Sequence, residues 1–229
     1  MRLSELLNVR PGVTAVIGGG GKTTLLRVLG EELASGGARV LLCATAKFFP
    51  FDGLPCLPDP TVEALEEALA SRRLVCAGTP VPGTGKLTAP AVPMARLAEL
   101  ADYVLAEADG SAGHPLKAHA PHEPVVPAEA NRVIWMVGAS GFGRPVREAV
   151  HRPEEFRFLT DLEMEDPVTP EAVAEALRAE ASPAWPPVRV FVNQAEDAAA
   201  MAAARRLAEL LPWPVCAGAL KRRNWICLS

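Results

Sequence analysis

Gly18-Gly19-Gly20-Gly21-Lys22-Thr23-Thr24 is the stretch whose reading decides the fold. An apolar, strand-like run precedes it (residues 13–17), and a helix-like run opens at Thr23. Glycines lack a Cβ, so several successive backbone N–H groups can turn toward one anion. A helix N-terminus behind them adds donors and a favourable dipole. In such a loop Lys22 reaches the β- and γ-phosphates of a nucleotide, and the Thr23 hydroxyl serves Mg²⁺. Strand, glycine loop, Lys-Thr and helix, in that order, predict a phosphate site made by Gly18, Gly19, Gly20, Gly21, Lys22, Thr23 and Thr24.

The loop is a shortened variant of the common pattern. G-x-x-x-x-G-K-[ST] places a glycine at position 16, where this chain has Val16. ATPases that dimerise across the nucleotide carry a second lysine near the loop's start, and that position holds Ile17. The competing reading is a flexible glycine turn with Lys22 in solvent.

Composition narrows the classes. The chain has 229 residues, enough for one domain with a sizeable core. Hydrophobic residues at 49% and charged residues at 22% are those of a globular protein. A formal charge of −4 gives no bulk electrostatic case for nucleic acid or a membrane surface. No apolar stretch is long enough to span a bilayer, and residues 1–12 do not read as a secretory signal. The five cysteines include no C-x-x-C pair and read as reduced core residues of a cytoplasmic protein.

Strand-like runs fall at 13–18, 40–45, 74–77, 103–108, 133–137, 188–193 and 215–217. Several are short and continuously apolar, as in a parallel sheet covered on both faces. Helical patterns fall at 23–34, 62–70, 93–100, 170–179 and 196–211. The alternation predicts an α/β, P-loop NTPase-like fold: a mostly parallel sheet with helices on both faces and right-handed crossovers. The expected organisation is one nucleotide-binding domain over 1–229 with a long loop insertion at about 110–131. That stretch has no periodic pattern and many prolines, which marks a segment as functional or disordered.

Further chemistry clusters at strand ends, where ligands of such sheets collect. Glu107 and Asp109 leave the apolar run 103–108 two residues apart, so an extended chain puts them on one face. Carboxylates there hold Mg²⁺ or orient water. The 110–131 stretch carries Ser111, Pro115, Lys117, His122 and Glu123, of which the lysine and the His-Glu pair can surround a γ-phosphate or a second substrate, unless the stretch is simply a proline-stiffened surface loop. The histidines His114, His119 and His122 have no familiar zinc spacing. Asn193-Gln194-Ala195-Glu196 occupies the place where GTPases read guanine with Asn-Lys-x-Asp, and a polar strand exit explains it equally well. Arg152, before Pro153, can contact phosphate or start a helix. Lys86 and Lys47 are further cations near strand ends.

In their order, Gly18 to Thr24, Glu107-Ala108-Asp109-Gly110-Ser111, Pro115-Leu116-Lys117, His122 to Pro127 and His151-Arg152-Pro153 resemble the YqeC family, accessory proteins of selenium-dependent molybdenum hydroxylases. The likeness runs from about Leu6 to Ile226. It implies a P-loop fold, ATP or GTP with Mg²⁺, and a maturation role toward a client molybdenum hydroxylase or its cofactor-assembly proteins. The threonine-rich turn expected after the second strand appears as Ala44-Thr45-Ala46-Lys47, leaving only Thr45 for a role there.

The expectation from sequence is a slow NTPase. Thr23, Asp109 and Glu107 hold the metal. Glu107, Asp109 and Lys117 stand at the chemistry. Lys22, Asn193, His122 and Arg152 contact the nucleotide or its partner substrate. Two alternatives stand beside it: a phosphoryl or nucleotidyl transferase acting on a small acceptor, and a non-catalytic module that uses nucleotide to dock on a client. A homodimer across the nucleotide face is the oligomeric alternative to a monomer, although Ile17 removes its usual signal.

Overall fold

The computed structural model describes every residue from Met1 to Ser229. In chain order the first elements are α1 (Leu3–Leu6), β1 (Gly12–Gly18), α2 (Lys22–Ser35), β2 (Val40–Ala44) and β3 (Cys56–Pro58). Then come α3 (Val62–Arg72), β4 (Leu74–Val81), β5 (Lys86–Thr88), α4 (Met94–Leu100) and β6 (Tyr103–Glu107). The rest of the chain gives β7 (Leu116–Lys117), β8 (Ala130–Gly138), α5 (Val146–Ala149), β9 (Val150–His151) and α6 (Pro153–Leu159). It ends with α7 (Pro170–Glu180), β10 (Val188–Asn193), α8 (Ala198–Leu210), β11 (Val215–Ala219) and β12 (Asn224–Cys227). The fold is α/β, with mostly parallel strands flanked by helices, as the alternating pattern predicts. No helix is long and apolar enough to cross a membrane.

The chain divides into two compact units, each gathered from separate segments. The first comprises Met1–Val16, Thr23–Gly110 and Val125–Val133. Its strands run in the order β1-β6-β2-β4-β3, all parallel, with β5 antiparallel on β4. The register sets Val16 opposite Glu107 on one side of β6 and Ala44 opposite Glu107 on the other. Glu107 therefore ends a strand that is hydrogen-bonded on both edges. One apolar cluster fills the unit, including Val13, Leu41, Leu65, Leu69, Val75 and Val104. Each fully buried side chain of this size is worth about 1.5–3 kcal/mol. Thr61 caps α3 by accepting from the Ala64 N–H at 3.3 Å. The Ser35-Gly36-Gly37 stop ends α2, where the Gly37 N–H donates to the Ala34 carbonyl.

The second unit comprises Ile17–Lys22, Ser111–Pro124 and Ile134–Ser229. Its larger strands run β8-β10-β11-β12, with β10 and β11 parallel and β12 antiparallel. Trp135 is at its centre, stacked on Trp213 and edge-on to Trp185 and His119. Thr169 caps α7 ahead of Pro170, and Asp197 caps α8. That cap delays α8 to Ala198, two residues later than the periodicity predicts.

The stretch 110–131 is not structureless throughout. Leu116 and Lys117 form a short parallel ladder with Val150 and His151. Residues 115–120 are buried, so this is an interior segment rather than a surface loop.

Candidate functional site

In the second unit the glycine loop is nested against two other segments. Gly18 and Gly20 have φ of +91° and +79°, a region that disfavours side chains. A Cβ on Gly18 would sit 2.3 Å from the Met136 carbonyl oxygen, and one on Gly20 2.4 Å from Gly138 Cα. Glycine is thus required for close backbone approach, and the flexible-turn reading does not hold. The Gly19 N–H donates to the Met136 carbonyl and the Gly20 N–H to that of His114, each at 3.1 Å. Those two amides are engaged with the protein's own carbonyls.

Lys22 is the first residue of α2 and is only 3% exposed. Its ammonium donates to the Gly18 carbonyl at 2.6 Å and to Ser111 Oγ at 3.2 Å. It lies folded over the loop, not out in solvent. Asn193, at the end of β10, secures the same loop. Its Nδ2 donates to the Gly20 carbonyl at 2.7 Å, and its Oδ1 accepts from the Leu220 N–H at 3.1 Å. Both polar ends of this buried side chain are therefore bonded to backbone. Next to it Gln194 has φ of +64°, and its Oε1 accepts from Ser140.

The 111–124 segment continues the site. The Gly138 N–H donates to the Pro115 carbonyl at 2.8 Å, so this segment is bonded to the end of β8 as well as to the loop. Lys117 is 4% exposed, and its ammonium lies 3.0 Å from Glu123 Oε2. Arg152 Nε donates to that same oxygen at 3.0 Å. Burial pushes the Glu123 carboxyl up, but the hydrogen bonds from Arg152 and Lys117 overcome it and bring its pKa to about 2. Arg152 holds a left-handed backbone (φ +66°) at the N-cap of α6, with Pro153 at the first helical turn. It both starts that helix and reaches Glu123. The His151 ring lies 5.8 Å from that of His114. Burial, then the charges of Lys117 and Arg152, lower the His151 pKa, so its imidazole is neutral at neutral pH.

In the first unit Thr23, next in the chain after Lys22, lies with its hydroxyl 3.3 Å from Glu107 Oε2. Asp109 follows the end of β6 and is 1% exposed. A hydroxyl and two carboxylates are the hard oxygen donors Mg²⁺ prefers, and that ion keeps several waters or phosphate oxygens in its shell. The donor set fits Mg²⁺. No group of three or more His, Cys, Asp or Glu side chains converges as a metal site. Thr45 donates its hydroxyl to the Val125 carbonyl at 2.8 Å, which fixes the turn after β2.

Other sequence candidates lie elsewhere. His122 is exposed, while its neighbour Glu123 is the residue that joins Lys117 and Arg152. Lys86 packs its ammonium over the Phe49 ring at 4.9 Å, and Lys47 is exposed. Thr24 is half-buried in the first turn of α2. Sequence reasoning gave no distinct role to Ser111, His114 or His151, whose positions depend on the β7–β9 ladder and the loop's carbonyl contacts.

The family comparison bears directly on these segments. The model of the family described as "YqeC protein" matches residues 14–154. The chain belongs to the YqeC family. The matched span of this YqeC-family chain takes in the glycine loop, Glu107, Asp109, the 111–124 segment and Arg152, and leaves Asn193 outside. The chain is also 36% identical over 163 residues to "Uncharacterized protein YqeC" of Escherichia coli (strain K12), a match covering 67% of this chain. It spans 62% of that relative's length.

Proposed function

We propose that this chain binds a purine nucleotide with Mg²⁺ and turns it over slowly, as an accessory protein in the maturation of a selenium-dependent molybdenum hydroxylase. The observation that carries the nucleotide part is the clamped loop with Lys22 at the first position of α2. The first turn of a helix has four N–H groups with no intrahelical acceptor, which favours an anion there. With Gly19 and Gly20 engaged by carbonyls, the amides from Gly21 through the first turn of α2 are the donors for the terminal phosphates. Lys22 would exchange its bond to the Gly18 carbonyl for phosphate oxygen. Thr23, Glu107 and Asp109 would hold Mg²⁺, which when bound neutralises charge on the phosphates. The client role rests on the family resemblance, and the base, ATP or GTP, is left to the experiment.

The test is calorimetric titration of ATP and GTP, with and without Mg²⁺, into the parent and Lys22→Ala. The reading expects Mg²⁺-dependent binding that the variant loses. Equal affinity in the variant, or no binding of either nucleotide at millimolar concentration, would overturn it.

The Lys117–Glu123–Arg152 cluster beside the neutral His151 favours a second reading. Two cations converge on one carboxylate oxygen, and an imidazole able to accept a proton stands next to them. This suits transfer of a phosphoryl or nucleotidyl group to a small anionic acceptor. That reading expects ADP or AMP release only when an acceptor is added, whereas a plain NTPase needs none.

A further inference from the structure

β3 is the outermost strand of the first unit's sheet, and its first residue is Cys56. In the β3–β4 register Cys56 stands directly opposite Cys76. The Cys76 N–H donates to the Pro55 carbonyl at 2.8 Å, which pins that register. The two sulfurs are 3.3 Å apart, and both thiols are free. Adjacent strands run about 4.8 Å apart. A disulfide joins Cα atoms about 4.4–6.8 Å apart, so a bond can close here with small side-chain movement.

Cys56 is half-buried and lines a cavity of about 520 Å³, together with Leu57, Glu67, Ser71 and Arg72. Cys76 is buried. The cavity wall thus carries a thiol, a carboxylate and a guanidinium. That combination suits a ligand bearing both an ammonium and a carboxylate. We propose that Cys56 and Cys76 form a dithiol exchange site for a small peptide-like disulfide, which the cavity at Cys56 admits.

The hydrogen bond it shares with Cys76 holds the Cys56 thiol below its usual range. The same bond, with burial, pushes Cys76 up. Cys56, which faces the cavity, is the attacking sulfur, and the buried Cys76 behind it is the resolving one. Cys56, having given its proton to solvent, attacks one sulfur of the disulfide RSSR. A Cys56–S–S–R bond forms, the original S–S bond breaks, and RS⁻ leaves and takes up a proton. Cys76 then attacks the Cys56 sulfur, the Cys56–Cys76 bond forms, and the second R group departs as RSH with the Cys76 proton. Two cysteine thiols and RSSR become one protein disulfide and two RSH. The protein is oxidised and the small disulfide reduced.

This inference rests on no part of the nucleotide reading. The test incubates the reduced chain with glutathione disulfide, blocks remaining thiols and maps cysteine-containing peptides by mass spectrometry. The expected product is a Cys56–Cys76 cross-link, formed about tenfold faster than any adduct at the exposed Cys227. Cys76→Ser should accumulate a glutathione adduct on Cys56. Arg72→Ala should slow the reaction with glutathione disulfide several-fold and leave that with the uncharged bis(2-hydroxyethyl) disulfide unchanged. Cys227 reacting while Cys56 and Cys76 stay reduced would overturn the proposal. So would an adduct on Cys56 that persists in the parent chain, or equal slowing of both disulfides by Arg72→Ala.

Discussion

Glu123→Gln tests whether one carboxylate organises the second unit's cationic cluster. Glutamine keeps the shape and one acceptor oxygen but removes the charge shared by Lys117 and Arg152. A carboxyl that titrates at about 2 in the fold instead of the ordinary 4.5 stabilises it by at most about 3 kcal/mol, at 1.36 kcal/mol per pH unit. The side chain is 15% exposed, and solvent at its rim reduces this to about 2 kcal/mol. The folded-state pKa is depressed, so the contribution is complete above the unfolded value near 4.5. It is lost as pH falls toward about 2, where the folded carboxyl takes its proton. Urea unfolding of parent and variant, followed by far-ultraviolet circular dichroism from neutral pH down to about 2, reads the difference directly. The expected gap is about 2 kcal/mol at neutral pH, closing across the acid range. A gap that stays constant across that range, or one near zero at neutral pH, would refute the assignment of Glu123 as the charge shared by both cations.

Asn193→Ala removes bonds to the Gly20 carbonyl and the Leu220 N–H at once, and should cost about 2–3 kcal/mol in urea unfolding. It should also weaken nucleotide binding without altering the preference between ATP and GTP, which titration of both will show. Gly20→Ala drives a methyl group to within 2.4 Å of Gly138 Cα at a left-handed backbone position, so a loss of about 3 kcal/mol or an insoluble product is expected. Nuclear magnetic resonance titration of His151 should give a midpoint below 6.5, and Lys117→Met should raise it by removing a nearby positive charge. Because that pKa is depressed, the neutral ring's contribution to stability is complete above 6.5 and falls as the ring is protonated at lower pH.

The sheet and the glycine loop were legible because their signals are local. Runs such as 40–44 and 133–137 are continuously apolar, and Gly-Gly-Lys-Thr follows a strand immediately. The edges were less legible. β3, β5 and β12 are three or four residues long and half exposed, too short to show a period. Within the site, the positions of Lys22, Glu107 and Asp109 at or just after strand ends could be read from the sequence. The bond between Asn193 and Gly20 joins residues 173 positions apart, and no local pattern announces it. The same holds for Lys117. A lysine among prolines reads as solvated, and only the pairing of β7 with β9 and the Glu123 carboxylate explain its burial. His122 and Glu123 are adjacent, and the ion pairs with Lys117 and Arg152 distinguish them.

The aromatic residues give the two units separate optical labels. All four tryptophans, Trp135, Trp185, Trp213 and Trp225, belong to the second unit, while the chain's single tyrosine, Tyr103, belongs to the first. Tryptophan emission therefore follows the second unit alone, whereas circular dichroism averages over the whole backbone. Denaturation curves from the two signals coincide only when both units melt in one cooperative step. Curves that separate would assign the earlier or later transition to the unit that carries the glycine loop.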